Sequence, residues 1–232
     1  MKVQISATFV LLFSAYQVTA QVQKPVHVEA FGGVQEQLPP TSVPAELKPY
    51  VPRGFVLRAL LQTKMSPKGE TLLLYDNGAD SFPEVHLHAV RNGQDIALFD
   101  GVVAGVAGLL PIQAQEQEQF VSFAYHVGFD QADTTFVVFK GETNLYRKIF
   151  EQKTTSGQMR LLSHSPVKFE IWSADWKLDQ GESCVWCPHR YRVRTYVWRT
   201  DGLALVAKRT TPEPISPGDV VQKTFVVSRG KN

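Results

Sequence analysis

The sequence predicts an all-β, antiparallel fold of about ten to twelve strands, arranged as an incomplete propeller-like assembly or as a β-sandwich. Three observations support this class. Phe, Tyr and Trp make up 11% of the 232 residues, and aromatic residues favour strands. Short apolar segments alternate with turn signals along most of the chain. Asn92-Gly93 also lies between two apolar segments, which is the strongest short-range indication of a hairpin.

The first 20 residues have the pattern of a secretory signal. Lys2 supplies the basic start, residues 5–13 form a short apolar core, and Val18-Thr19-Ala20 offers small residues for cleavage. The apolar run is too short to span a bilayer. An N-terminal strand would fit this pattern less well. We therefore expect a signal peptide over 1–20, cleavage near Ala20, and a secreted or periplasmic protein without a transmembrane segment.

Residues 21–53 are rich in proline and glutamine. Each proline removes a backbone donor and restricts the residue before it, so this stretch is predicted to be an extended arm or linker. Residues 45–48 are its one candidate for a helical turn. Residues 54–232 are predicted to form a single β-rich domain.

The predicted strands are separated by turn residues and fall into three blocks of similar rhythm. The polar stretch 113–119 is predicted to be a loop or a short exposed helix, and 145–151 is expected to pair with 159–162. Because the spacing of the blocks is uneven, propeller and sandwich both stay open. The predicted strands are residues 55–62, 71–75, 84–90, 96–99, 120–127, 134–139, 145–151, 159–162, 168–176, 190–198, 203–208 and 223–227.

The charge balance and the missing motifs disfavour two classes of function, nucleic-acid binding and catalysis. Loss of Lys2 with the signal leaves 23 basic against 22 acidic side chains, whereas a dedicated nucleic-acid binder shows a strong basic excess. No Gly-x-Ser-x-Gly, Walker, His-Glu-x-x-His or dinucleotide-binding pattern is present, which disfavours an enzyme. A hydrolase whose scattered carboxylates meet only in the fold stays open. These carboxylates are Asp76, Asp80, Asp100, Asp130, Asp133, Asp175 and Asp179.

Cys184 and Cys187 are the two cysteines of the chain, and in an exported protein they predict one disulfide. A redox pair would need a helix N-terminus to lower the thiolate pKa, but Pro188 and an alternating strand follow here. Haem attachment would need a histidine directly after the second cysteine. Zinc would need two further ligands, and only His189 is near in sequence.

Glu84, His86 and His88 form a candidate metal face. Side chains at alternate positions of a strand share one face, so the two histidines are expected about 7 Å apart. His-x-His with a carboxylate offers the nitrogen and oxygen ligands of a divalent metal. A third histidine would have to come from His126, His164 or His189. The alternative is the polar face of a half-buried hairpin, and no cofactor is predicted from this pattern alone.

Arg190, Arg192, Arg194, Tyr196 and Trp198 form a candidate ligand surface. Guanidinium groups beside aromatic rings bind anionic or sugar ligands through forked hydrogen bonds and stacking. The alternative is that the arginines pair with acids on a neighbouring strand, such as Glu170 or Asp175, or protect a sheet edge.

A family resemblance rests on the same region. Cys184-Val185-Trp186-Cys187, followed by Tyr191, Tyr196-Val197-Trp198 and Asp201-Gly202, resembles the terminal units of secreted bacterial proteins with FG-GAP or VCBS-type β-propeller repeats. The resemblance covers residues 168–210 and implies a propeller-like unit. The Asp-x-Asp-x-Asp-Gly loops of such repeats are missing, so it implies neither calcium binding nor a complete propeller. It also implies no particular activity.

The sequence thus predicts a non-enzymatic module that binds a protein, a glycan or an envelope component through its arginine and aromatic surface. The alternative is a secreted hydrolase that depends on a metal or on carboxylates. Convergence of Glu84, His86 and His88 with strand-end aspartates would favour the metal or enzyme alternative.

We expect the mature protein to contain no free thiol, because the exported chain pairs its two cysteines. Titration of thiols under denaturing, non-reducing conditions should therefore find no reactive sulfhydryl. Two reactive sulfhydryls per chain would overturn the disulfide between Cys184 and Cys187.

Overall fold

The computed structural model describes residues 40, 42–63, 69–115, 118–128, 133–175, 187–200 and 202–216. The predicted all-β, antiparallel class is confirmed over these residues. In chain order the elements are the 3₁₀ helix Ala45–Tyr50 and the strands β1 Val56–Thr63, β2 Glu70–Asp76, β3 Glu84–Arg91, β4 Gln94–Val102, β5 Gly105–Gln115, β6 Glu118–Val127, β7 Asp133–Gly141, β8 Tyr146–Thr155, β9 Gln158–His164, β10 Val167–Ala174, β11 Tyr191–Arg199 and β12 Gly202–Thr210.

The strands form three antiparallel sheets, each made of four consecutive strands. Sheet I contains β1–β4, sheet II contains β5–β8 and sheet III contains β9–β12, always with sequence neighbours side by side. Within the described residues no sheet closes into a barrel. This arrangement is consistent with both the incomplete propeller and the sandwich that the sequence left open.

Sheet II lies between the other two sheets. Strand β6 shows why, because Val121 and Phe123 enter the apolar core shared with sheet I, whereas Phe120 and Ala124 enter the core shared with sheet III. Successive strand residues point to opposite faces. The sequence of a strand that is covered on both faces is therefore a nearly continuous apolar run, as residues 120–125 show.

The chain before β1 packs on the outer face of sheet I. Leu47 of the 3₁₀ helix and Val51 are buried there against Leu57, Leu73 and Tyr75. The helical turn expected at 45–48 is present and extends to Tyr50. Residues 1–39 lie outside the described residues, so the signal peptide and the extended character of 21–39 stay predictions.

Two local expectations were wrong. Residues 113–115 and 118–119 belong to β5 and β6 rather than to a loop or helix. Gln119 is buried, and its amide nitrogen donates hydrogen bonds to Glu70 and Tyr146. Residues 145–151 and 159–162 do not pair, since β8 pairs with β7 and β9 pairs with β10. The chain crosses between sheets at Gly157, where a Cβ would lie 1.7 Å from the Thr154 hydroxyl oxygen.

The hairpin turn expected at Asn92-Gly93 is confirmed. Both residues have positive φ, 52° and 78°, as a type I′ turn requires. Arg91 and Gln94 are paired on either side of the turn. The hydroxyl of Tyr50 donates a hydrogen bond to the Gly93 carbonyl at 3.1 Å, so the N-terminal segment also contacts this hairpin. In the described part of the chain no helix is long and apolar enough to cross a membrane.

A buried ion pair of sheet I is hydrogen-bonded to sheet II at one end of the contact between the two sheets. The Glu70 carboxylate of β2 accepts a hydrogen bond from Arg91 Nε of β3 at 2.6 Å. From sheet II it accepts the Tyr146 hydroxyl at 2.6 Å and the Gln119 amide at 3.3 Å. Arg91 also donates hydrogen bonds to the Glu142 and Thr143 carbonyls in the connection before β8. Both charged side chains are almost fully buried, so each depends on its partners.

Arg91→Met should destabilise the protein strongly, by about 3–5 kcal/mol, because it leaves the Glu70 carboxylate buried without its counter-charge. Urea unfolding followed by fluorescence measures this loss. Arg147→Met is the matched control, since Arg147 pairs with Glu142 at 2.9 Å on an exposed surface. Such a pair contributes only about 0–1 kcal/mol. Equal losses in the two variants would contradict the role of the buried pair.

Tyr146 makes this junction sensitive to alkali. Burial, together with the charge of Glu70, raises the pKa of the Tyr146 hydroxyl far above its ordinary value of 10. A raised pKa in the folded state means that the hydroxyl stabilises the fold below pH 10 and that this contribution is lost as the pH rises. We expect the stability advantage of the natural protein over Tyr146→Phe to shrink by about 1.4 kcal/mol per pH unit above about pH 10. Urea unfolding of both proteins from pH 8 upward measures it, and a constant difference would contradict the expectation.

Candidate metal centre

The two histidines of β3 lie on the outer face of sheet I. Val85, Leu87 and Ala89 fill the core between sheets I and II, and strand alternation therefore turns His86 and His88 the other way, as the sequence predicted. Their imidazoles are largely covered, with 16% and 13% of the side chains exposed.

A β-bulge in β4 brings two aspartates to the same face. From the Asn92-Gly93 turn the hairpin register runs evenly to His88, which is paired with Ala97. The register then shifts, so that Leu87 is paired with Phe99 and His86 with Asp100. The extra residue reverses the alternation of β4. Asp95 and Asp100, which are five positions apart, consequently both face the histidines.

The side chains form one connected cluster. Asp100 Oδ1 lies 2.5 Å from His86 Nδ1 and 2.9 Å from His88 Nε2. Asp95 Oδ1 lies 2.8 Å from His88 Nδ1, and Glu84 Oε1 lies 3.4 Å from His86 Nε2. His86, His88 and Asp100 can each supply one ligand atom, and these three atoms lie within 4.8 Å of one another.

The carboxyl group of Asp100 is held in its charged form. Burial raises its pKa, but hydrogen bonds from His88 and His86 outweigh that effect, so the pKa lies below the ordinary value. About half of the Asp100 side chain is exposed, 51%. The cluster is therefore open to solvent on the carboxylate side and covered on the imidazole side.

Aromatic rings form the covered side. Tyr75 of β2 stacks on the His86 ring at 5.0 Å with an interplanar angle of 14°, and Phe55 meets the same ring edge-on at 5.1 Å. Burial and the negative charges of Asp95 and Asp100 raise the pKa of Tyr75 to about 12. The packing limits rotation of the His86 ring and holds Nδ1 toward Asp100.

The sequence found part of this cluster. Glu84, His86 and His88 do come together, but the third ligand atom comes from Asp100. His126 contacts the Thr134 hydroxyl in sheet II at 3.3 Å, and His189 is buried beside Ile215 near sheet III. In the described ranges neither they nor His164 belong to the cluster. A hairpin register extended without the bulge would set Phe99 opposite His86. Regular alternation therefore did not predict that Asp100 lies beside the histidines.

The arginine and aromatic surface is divided in the structure. Arg192 forms a forked ion pair with Asp175, the alternative that the sequence also allowed. The Tyr196 hydroxyl donates to Gln152 at 2.9 Å, and Trp198 Nε1 donates to Glu118 at 3.1 Å. Both rings pack against the core between sheets II and III. Arg190 and Arg194 are half-buried, and the use of this set as a ligand surface stays a prediction.

Three of the other strand-end aspartates, Asp175 among them, form ion pairs outside the cluster. Asp76 pairs with Arg58 at 2.7 Å, and Asp133 pairs with Lys153 at 2.7 Å. Asp130 and Asp179 lie outside the described residues. Cys184 does as well, and the disulfide between Cys184 and Cys187 therefore stays a prediction.

Fold and cluster together define an all-β protein of three four-stranded sheets with a histidine and carboxylate centre on an outer face. No family model, curated protein or solved structure matches this chain. The resemblance of residues 168–210 to FG-GAP or VCBS-type repeats stays a prediction.

Proposed function

We propose that the protein is a binding module that holds a divalent transition metal ion, of the zinc type, at His86, His88 and Asp100. The observation that carries this proposal is the approach of the three ligand atoms to within 4.8 Å of one another on two paired strands. Two imidazole nitrogens and one carboxylate oxygen are a ligand set that zinc uses in proteins. Magnesium and calcium favour oxygen ligands alone.

The surrounding carboxylates suit the role of orienting groups. A histidine that binds a metal usually donates its other ring N–H to a carboxylate or carbonyl. Asp95 occupies that position for His88, at 2.8 Å from Nδ1. Glu84 lies in the equivalent direction from His86, at 3.4 Å from Nε2. Glu84 therefore fits an orienting role better than the ligand role expected from the sequence.

The groups around the three metal ligands favour a metal-binding role over a hydrolytic one. A metal-dependent hydrolase also needs a base within reach of a metal-bound water. The two nearest carboxylates, Asp95 and Glu84, are each turned toward a histidine ring nitrogen. These features support a site that retains an ion.

The protein performs this function outside the cytoplasm, in the periplasm or in the medium. The signal pattern of residues 1–20 supports this location. A protein, glycan or envelope component as partner belongs to the same proposal, since the balanced charge of the mature chain disfavours nucleic acid.

Removal of a ligand should weaken metal binding strongly while the fold is kept. The chain is stripped with a chelator and titrated with Zn²⁺ by calorimetry, and we expect one ion per chain. His88→Ala and Asp100→Ala should each weaken binding by more than about 100-fold, and Asp95→Ala by about 10- to 100-fold, the usual loss when an orienting partner is removed.

His164→Ala is the matched control, because His164 is exposed at the end of β9 and lies outside the cluster. Circular dichroism of each variant checks that the sheets are retained. Equal affinity in His88→Ala and His164→Ala, or no zinc uptake by the natural protein, would disprove the proposed function.

A further inference from the structure

A basic cleft lies on the β11–β12 hairpin of sheet III, on a different sheet from the histidine cluster. Its volume is about 210 Å³. The residues that line it, all from these two strands, are Arg192, Val193, Arg194, Lys208, Arg209 and Thr210. We refer to this set as the basic cleft.

Two cations of the basic cleft lie directly opposite each other. Arg194 of β11 is paired in register with Lys208 of β12, so their side chains leave the sheet on the same face. Like charges at directly opposite positions destabilise an antiparallel pair. The next pair on this face, Arg192 and Thr210, adds a third cation and a hydroxyl group.

The acids near the basic cleft are already engaged. Asp175 holds the guanidinium of Arg192 in a forked ion pair. Glu170 accepts hydrogen bonds from Arg209 at 3.2 and 3.3 Å, and the Arg209 guanidinium also lies over the Trp172 ring at 5.0 Å. These contacts fix two of the four cations and balance their charge.

The charges of the other two cations, Arg194 and Lys208, are not balanced by an acid among the described residues. In the parts of the chain that the structure describes, neither Arg194 nor Lys208 forms an ion pair with a carboxylate. On the face of Arg194 and Lys208 the described residues place three cations and one acid, Asp175, so two positive charges are uncompensated. Two like charges that lie side by side in this way, Arg194 and Lys208, are suited to an anion that bridges both groups.

We propose that the basic cleft binds the dianion of a phosphate group, either inorganic phosphate or a phosphomonoester. The two free charges match a dianion better than a monocarboxylate. The Arg194 guanidinium can donate a forked pair of hydrogen bonds to two phosphate oxygens, and the Lys208 ammonium supplies a compact charge to a third. The Thr210 hydroxyl offers one more donor. This site is independent of the proposed metal centre.

The direct test measures binding of inorganic phosphate to the full chain by calorimetry at low ionic strength. The double variant Arg194→Gln, Lys208→Gln should lose about 10- to 100-fold in affinity, because charge-assisted hydrogen bonds are removed. Its fold should survive, since the change relieves the repulsion between the opposed cations.

The matched control is Arg147→Gln, Lys148→Gln on β8, which changes the net charge equally. Both side chains are exposed and paired with acids, Glu142 and Glu151. Its phosphate affinity should equal that of the natural protein. An equal loss in both double variants would show a general charge effect and overturn the proposal, as would the absence of phosphate binding by the natural protein.

A second arm identifies the source of the phosphate group. Vesicles of phosphatidylcholine with and without phosphatidic acid are sedimented with the protein. Binding that requires both phosphatidic acid and the cations Arg194 and Lys208 indicates a lipid headgroup as the ligand. Phosphate binding without vesicle binding indicates a soluble phosphomonoester. If neither probe distinguishes the double variant from its control, the proposal is wrong.

Discussion

Burial of both faces of sheet II is the constraint on which the rest of the structure depends. Its strands supply Val121 and Phe123 to one apolar core and Phe120 and Phe136 to the other. The inner faces of sheets I and III must therefore be apolar where they cover it, because unmatched polar groups would be desolvated there. For sheet I this leaves polar chemistry to the outer face, and the histidine cluster lies on that face.

A strongly polar junction in the contact between sheets I and II is centred on the Glu70 carboxylate. Glu70 accepts hydrogen bonds from Arg91 on its own sheet and from Tyr146 on the next. Buried ion pairs add little net stability over apolar packing, but a different placement of sheet II would leave the buried Glu70 carboxylate without the Tyr146 hydroxyl and so be penalised. The junction therefore specifies how sheet I sits on sheet II more than it strengthens the contact.

Both proposed sites are built on hairpins with an irregular register. The shift between Leu87 and His88 brings Asp100 to the histidines. A comparable shift lies between Thr195 and Tyr196, where an extra residue in β12 puts Leu203, opposite Trp198, and Lys208, opposite Arg194, on the same face of sheet III. Bulges redirect side chains without breaking a sheet. In this protein they place charged groups next to a regular apolar framework.

The sequence by itself determined the fold class, most strand positions, the turn at Asn92-Gly93 and the shared face of Glu84, His86 and His88. Each of these depends on local alternation or on the backbone preferences of a few neighbouring residues. Only the tertiary structure decided that β8 and β9 belong to different sheets, that Gln119 is buried, and that Asp100 completes the cluster. These outcomes depend on which strands lie side by side, on partners distant in sequence and on a bulge that shifts the alternation by one residue. Local patterns carry no signal for such contacts, because their energy arises only when the sheets are packed together.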